Sequence, residues 1–215
     1  RIAYKLFNDI ILKSDYHVDL RGGDLHESHL DHTIFEKVGK EIDKTCQEMA
    51  KVFGLEYVLP ASPEIGPPGH CGEGTLIHEA VIRGIPSIIS ESGLGYRTQP
   101  LEKYVNKHVE GVKNLLKYFG IMKGPIIKPK NQRFLDMTFH RVTAPVFGIF
   151  HAIADQGDLV KKGEVIGRIT DIDGSELFKV TSPIDGVVHC MFVRRVVHPG
   201  DVLYTLLRVA EPTGR

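Results

Sequence analysis

The sequence predicts an α/β protein with two regions: part of a three-layer α/β/α sheet, then a small all-β barrel or sandwich with an internal duplication. Helical patterns alternate with short apolar strands in residues 1–120, which is typical of a mostly parallel sheet covered on both faces. In residues 141–208 short strands follow one another, separated by turns. Residues 121–140 contain glycines, prolines and lysines and are predicted to be a linker.

The elements of the first region follow from the spacing of apolar residues. In chain order the spacing predicts a helix near 1–13, a strand near 16–20, a helix near 32–53, a strand near 56–59, a helix near 75–83, a strand ending at Glu91 and a helix near 101–119. The loop 60–74 contains four prolines and four glycines, too many for a regular element. No N-cap residue precedes the first helical pattern, so we expect this chain to be the C-terminal part of a longer protein.

The second region contains a repeat, in which segment 143–151 matches segment 181–189 and each copy is followed by a Gly-Asp turn. Two hairpin-rich copies of about 30 residues predict a small barrel with pseudo-twofold symmetry. The repeat resembles biotinyl and lipoyl carrier domains, which display a modifiable lysine between their halves. The junction here lacks their Met-Lys-Met motif, and Lys179 is placed on a strand, so we predict no prosthetic group.

Composition excludes several classes of function. Lys+Arg and Asp+Glu are both 27, so no basic field exists to attract nucleic acid or an anionic membrane surface. No apolar run approaches the roughly 20 residues of a membrane span, and no signal-peptide pattern opens the chain. Three widely spaced cysteines suit reduced thiols in the cytoplasm. We therefore predict a cytoplasmic protein that binds neither nucleic acid nor a membrane; a homo-oligomer is compatible with the sequence.

The strand that ends at Glu91 leads directly into a glycine-rich turn. Open α/β sheets usually bind ligands at the carboxyl ends of their strands, and glycines let a backbone approach a ligand closely. The alternative interpretation of Glu91 is a solvated side chain that ends the strand. Tyr96 and Arg97 follow the turn, and an arginine there suits a bidentate contact with a substrate carboxylate. The alternative for Arg97 is a surface residue on a loop.

Three segments together resemble the succinylglutamate desuccinylase/aspartoacylase family, a branch of the zinc carboxypeptidase-like hydrolases. They are residues 15–25, which include Asp19-Leu20-Arg21-Gly22-Gly23, the strand ending at Glu91, and the duplicated β-region. The resemblance implies a zinc-dependent deacylase that cleaves the amide bond of an N-acyl amino acid or similar small amide. It implies a Zn²⁺ ion held by two histidines and one glutamate, and a separate glutamate as general base. Glu91 matches the position of that base.

The sequence departs from the family pattern at the metal ligands. The resemblance places the His-x-x-Glu pair upstream of residue 1, and the third ligand belongs to an Asp-Leu-His motif that here reads Asp19-Leu20-Arg21. Because arginine stays protonated and has no lone pair to donate, Arg21 cannot replace that histidine, and we expect it to pair with Asp19. This chain is therefore predicted to bind zinc weakly or not at all. His26, brought close by a flexible Gly22-Gly23 turn, is a weak candidate ligand.

Three hypotheses about function follow. The first is a deacylase whose substrate contacts Gly22, Gly23, Tyr96 and Arg97. The second is a catalytically impaired or inactive member of the family, in which Arg21 makes the site a small-anion-binding or interaction protein. The third treats the β-region as an interaction module. Metal content separates the first two hypotheses, and binding by the β-region alone would favour the third.

Overall fold

Helices and strands alternate in the first region of the computed structural model, which describes residues 2–62, 71–97 and 99–210. In chain order its elements are α1 (Ile2–Lys5), β1 (His17–Arg21), β2 (Glu27–His29), β3 (His32–Glu36), α2 (Ile42–Phe53), β4 (Tyr57–Ala61), α3 (Leu76–Ile82), β5 (Ser87–Glu91) and α4 (Glu102–Tyr118). A π turn, Leu6–Ile10, and a 3₁₀ turn, Ile11–Lys13, continue α1. None of the described helices is long and apolar enough to span a membrane.

Five strands form the first sheet in the order β1-β5-β3-β4-β6, where β6 is Arg133–Phe134. The β1–β5, β3–β4 and β4–β6 pairs are parallel, and only the β3–β5 pair is antiparallel. β6 belongs to the segment 121–140, so part of the predicted linker is a strand of this sheet. The fold is a mixed α/β fold with several sheets, as the sequence predicted; a three-layer arrangement stays a prediction.

The predicted long helix at 32–53 is wrong in its first part. Residues 32–36 form the fully buried strand β3, and the helix begins only at Ile42. Thr33, Ile34 and Phe35 favour a strand because branched and aromatic side chains suit the pleated, half-covered surface of a sheet. Gly39 then turns the chain with a positive φ of 75° before α2 begins.

The main apolar core lies between α2 and the first sheet. Phe53 ends the buried face of α2 and lies against α4, where a Cβ on Gly111 would overlap its ring. The close approach of the two helices therefore requires a residue without a side chain at position 111. The same core cluster includes Val187 and Leu207, so it continues into the second region.

The second region consists of short strands in two sheets. Its strands are β7 (His140–Thr143), β8 (Gly148–Ala152), β9 (Leu159–Val160), β10 (Val165–Thr170), β11 (Glu176–Thr181), β12 (Gly186–Phe192), β13 (Val196–Val197) and β14 (Val202–Leu207). One sheet has the order β11-β10-β8-β13, and the other has the order β2-β12-β14-β7. Lys179 lies on β11 with its side chain 64% exposed, away from the turn. The internal duplication and the barrel closure stay predictions.

Strand β2 connects the two regions. In the sequence it lies between β1 and β3, but it pairs with β12 of the second region and not with the first sheet. The register places Cys190 opposite His29 and Phe192 opposite Glu27. His29 therefore lies on a strand of the second region's sheet.

Candidate functional site

Glu91 is buried at the carboxyl end of β5. Its register partners are Arg21 on β1 and His32 on β3, and the residue is only 5% exposed. Among the described residues, no donor forms a hydrogen bond with its Oε2 atom. Burial raises the pKa of Glu91, and the charges of His29 and Arg21 offset only part of this effect. The alternative interpretation, a solvated glutamate that ends the strand, is therefore wrong.

Arg21 pairs with Asp19, as expected for two residues on one face of a strand. Its Nε–H donates to Asp19 Oδ2 at 2.9 Å, and its Nη2 atom forms an ion pair with the same oxygen at 2.8 Å. Both side chains are partly buried, with 30% and 24% of their surface exposed. Because a guanidinium only donates hydrogen bonds and stays charged, this position does not fit the metal that the family resemblance implies.

The turns after β1 and β5 pack backbone against backbone. A Cβ on Gly93 would lie 2.7 Å from the carbonyl oxygen of Gly22, and one on Gly95 would overlap the backbone of Gly23. The backbone N–H of Ser92 donates to the carbonyl oxygen of Arg21 at 3.0 Å. Glycine at 93 and 95 therefore brings the two strand ends together at the site.

A cleft of about 450 Å³ lies between these turns and the start of α4. Three of the four predicted substrate-binding residues, Gly22, Gly23 and Arg97, line this cleft. Arg21 lines it too. Tyr96 is the exception, since among the described residues it does not line the cleft; its backbone N–H donates to the Glu27 carbonyl oxygen at 3.3 Å. Glycine and arginine around an open space suit a small anionic ligand.

Glu91 itself does not belong to the described lining of the cleft, but two of its neighbours do. Ser92, the next residue in the chain, and Arg21, its register partner, both line it. Glu91 is therefore adjacent to two residues that line the cleft, one in the chain and one across the strand pair. His26, the weak candidate ligand, lies elsewhere, with its ring 5.8 Å from that of Phe192.

A second group of polar side chains lies on the β2–β12 pair, and sequence reasoning missed it. The ligand atoms of Glu27, His29 and Cys190 all lie within 4.8 Å of one another. His29 Nε2 and Glu27 Oε2 are 2.9 Å apart. The rings of His32 and His189 lie close by, with centroids 6.3 and 5.4 Å from that of His29.

The charges of this group are strongly coupled. The hydrogen bond from His29 lowers the pKa of Glu27 to about 2. Burial works against protonation of His29, yet the nearby Cys190 and Glu27 raise its pKa above the ordinary value. Glu91 acts in the same direction on His29. The two polar groups, at Glu91 and at Glu27–His29–Cys190, therefore share one electrostatic environment.

Sequence reasoning missed this group because its members come from distant parts of the chain. The spacing of Glu27 and His29, two residues apart, is the only local signal, since it places both on one face of a strand. The chain contains one His-x-x-Glu spacing, at His70 and Glu73, in the loop rich in proline and glycine. His70 lies outside the described residues.

Neither a family model nor a curated relative matches this sequence. Solved structures do match its fold. The apo structure of the ectoine utilization protein EutE (DoeB) from Ruegeria pomeroyi has a TM-score of 0.81 and 19% identity, with 96% of this chain and 64% of that chain covered. A succinylglutamate desuccinylase/aspartoacylase from Rhodobacter sphaeroides has a TM-score of 0.80 and 21% identity, covering 99% and 63%.

A succinylglutamate desuccinylase from Silicibacter sp. TM1040 is similar too, with a TM-score of 0.82, 18% identity and coverage of 97% and 62%. This chain thus spans less than two thirds of the length of each of these three proteins. At this level of identity the comparison establishes the fold. The resemblance found in the sequence is confirmed at that level: the chain folds as succinylglutamate desuccinylase/aspartoacylase proteins do.

Proposed function

We propose that this chain carries the site of a hydrolase of the deacylase type, which cleaves the amide bond of an N-acyl amino acid or similar small amide. The observation that carries the proposal is the buried carboxyl of Glu91. It ends a strand beside a cleft, and in the part of the chain that the structure describes its buried Oε2 has no hydrogen-bond donor. A buried carboxylate oxygen normally has such a donor, and in this proposal a water molecule supplies it.

Glu91 acts as the general base in this proposal. A carboxylate with a raised pKa accepts a proton from water more readily than an ordinary glutamate, and it returns the proton to the leaving nitrogen. Arg21 supplies a fixed positive charge at the neighbouring strand end, where negative charge develops on the carbonyl oxygen. Asp19 orients the Arg21 guanidinium through a hydrogen bond and an ion-pair contact.

Arg97 binds the substrate in this proposal. It lies on the rim of the cleft, exposed to solvent, and its planar guanidinium matches a carboxylate in two-point contact. Gly22 and Gly23 leave room for the substrate on the opposite wall. No step is assigned to zinc at the Arg21 position, because the side chains there do not fit a metal. We place the protein in the cytoplasm, which agrees with free thiols at Cys46, Cys71 and Cys190.

A second function, binding of a small anion without hydrolysis, is favoured by one observation. Arg21 stands where the family resemblance places a histidine, and it lines the cleft together with Arg97, so two arginines border the cleft. A binding protein of this kind needs no general base. The experiment that decides is release of free amine from a panel of N-acyl amino acids, measured beside calorimetric binding of the same compounds. Amine release that ceases in Glu91→Gln supports the deacylase; binding without release supports the second function.

A further inference from the structure

The pairing of β2 with β12 brings three metal-binding side chains together between the two regions. Glu27 and His29 are two residues apart on β2 and therefore lie on one face of the strand. Cys190 is the register partner of His29. The ligand atoms of the three residues lie within 4.8 Å of one another. Zinc is bound at about 2.0–2.3 Å, which brings ligand atoms about 3–4 Å apart, so small side-chain movements suffice.

His29 presents a ring nitrogen to the Glu27 carboxylate. Its Nε2 atom lies 2.9 Å from Glu27 Oε2, so these two ligand atoms already face each other, and a metal ion would take the place of the hydrogen bond between them. The residue as a whole is only 6% exposed, so the ring is held in a buried position.

The surroundings of the group favour a cation. Glu27 offers a carboxylate that is partly buried, with 17% of its side chain exposed. Cys190 is 1% exposed and carries a thiol that becomes an anionic ligand when it binds metal.

The kinds of ligand atom select the kind of metal. One sulfur, one imidazole nitrogen and one carboxylate oxygen suit zinc and its first-row neighbours, whereas magnesium and calcium prefer oxygen alone. We propose that Glu27, His29 and Cys190 bind one divalent first-row metal ion, zinc by preference, between β2 and β12. This site is separate from the Arg21 position, where the family resemblance places a metal and where the side chains do not fit one.

The proposed ion would connect the two regions. Glu27 and His29 come from the first region, and Cys190 comes from the second. An ion that binds only the folded protein stabilises it by a free energy that grows with the logarithm of metal concentration. The proposal does not depend on the deacylase function, since metal binding is measured without a substrate.

The first test is a cobalt titration of the full chain, freed of metal with a chelator and kept reduced. We expect one Co²⁺ per chain and a near-ultraviolet band from thiolate-to-cobalt charge transfer, displaced by Zn²⁺. Cys190→Ser should abolish the band. Cys71→Ser and His26→Gln are matched controls that should keep it. A parent without the band, a band that survives in Cys190→Ser, or a band lost in Cys71→Ser would overturn the proposal.

The second test guards against a variant that does not fold. Glu27 is partly exposed, so Glu27→Gln should keep the fold, which far-ultraviolet circular dichroism checks. We expect this variant to bind Zn²⁺ at least about tenfold more weakly, a loss of roughly 1.4 kcal/mol. In the parent, Zn²⁺ should raise the melting temperature, and in Cys190→Ser it should not. Equal zinc affinity in Glu27→Gln and parent, or no shift in the parent, would contradict the site.

Discussion

Arg21 and Glu91 are register partners at the carboxyl ends of two adjacent parallel strands. The Arg21 guanidinium is held by Asp19, so its charge acts on Glu91 as a fixed field. Because burial acts in the opposite direction and is the larger effect, the pKa of Glu91 stays above its ordinary value. This balance makes Glu91 a stronger base than a surface glutamate while keeping its charge compatible with burial.

Glu91→Gln should lower the turnover rate of an active preparation by a factor of about 10²–10⁴, because the amide keeps the shape but accepts no proton. The measurement is amine release from an N-acyl amino acid at saturating substrate. The matched control is Glu102→Gln, an exposed residue at the start of α4, which should leave the rate unchanged. A Glu91→Gln rate within a few-fold of the parent would remove Glu91 from the mechanism.

The same substitution should change how stability depends on pH. Burial raises the pKa of Glu91 above 4.5, so the folded protein binds this proton more tightly than the unfolded chain does. The stability that the protonated carboxyl provides is present below that value and is lost as pH rises through the higher folded pKa. Glu91→Gln cannot ionise, so its free energy of unfolding relative to the parent should increase between pH 4 and pH 8. Urea unfolding of both proteins across that pH range measures this difference in the free energy of unfolding. If the difference stays constant or falls as pH rises, the pKa of Glu91 is not raised.

Gly93→Ala should destabilise the protein by about 2 kcal/mol or more, because the new Cβ would lie 2.7 Å from a backbone oxygen that has no room to move. Gly22→Ala is the matched control on the facing turn. A Cβ there meets no described atom within 4 Å, so the change should stay within about 0.5 kcal/mol. Urea unfolding measures the free energy of unfolding of both variants. Equal losses of stability would show that the two turns do not pack as described.

Arg97→Gln should weaken binding of an N-acyl amino acid about tenfold, since the amide cannot form the charged two-point contact with a carboxylate. Isothermal titration calorimetry measures the affinity. Arg168→Gln, an exposed arginine of the second region, serves as the control and should bind as the parent does. If Arg97→Gln retains full affinity, the carboxylate is bound elsewhere in the cleft.

Two cysteines should be slow to react in the folded protein. Burial raises the pKa of Cys46 to about 11 and that of Cys71 to about 12, so both thiols stay protonated at pH 8. Iodoacetamide labelling followed by mass spectrometry should modify them at least about tenfold more slowly than in urea, where the ordinary pKa returns. Labelling of native Cys71 as fast as in urea would contradict this environment.

The sequence predicted what depends on neighbouring residues. The strand that ends at Glu91, its glycine turn and the Arg21–Asp19 pair all follow from short patterns. It did not predict β3. The apolar residues of β3 lie close to those of α2 in the chain, and the local pattern does not show where one element ends; pairing with β4 and β5 in the sheet makes residues 32–36 a strand. The sequence did not predict the Glu27–His29–Cys190 group for another reason. Its members meet through a strand pair between distant segments, and no local pattern encodes that pair.

Strand β2 has a consequence for folding. Its three residues pair with β12 across most of the length of the chain, and Val187 and Leu207 complete the core of the first region. Contacts between such distant segments cost loop-closure entropy, so we expect them to slow folding. Neither region can then open without exposing the backbone of an edge strand and part of a shared core. The two regions should therefore unfold in a single cooperative step, and separating them by cleavage would yield two incomplete pieces.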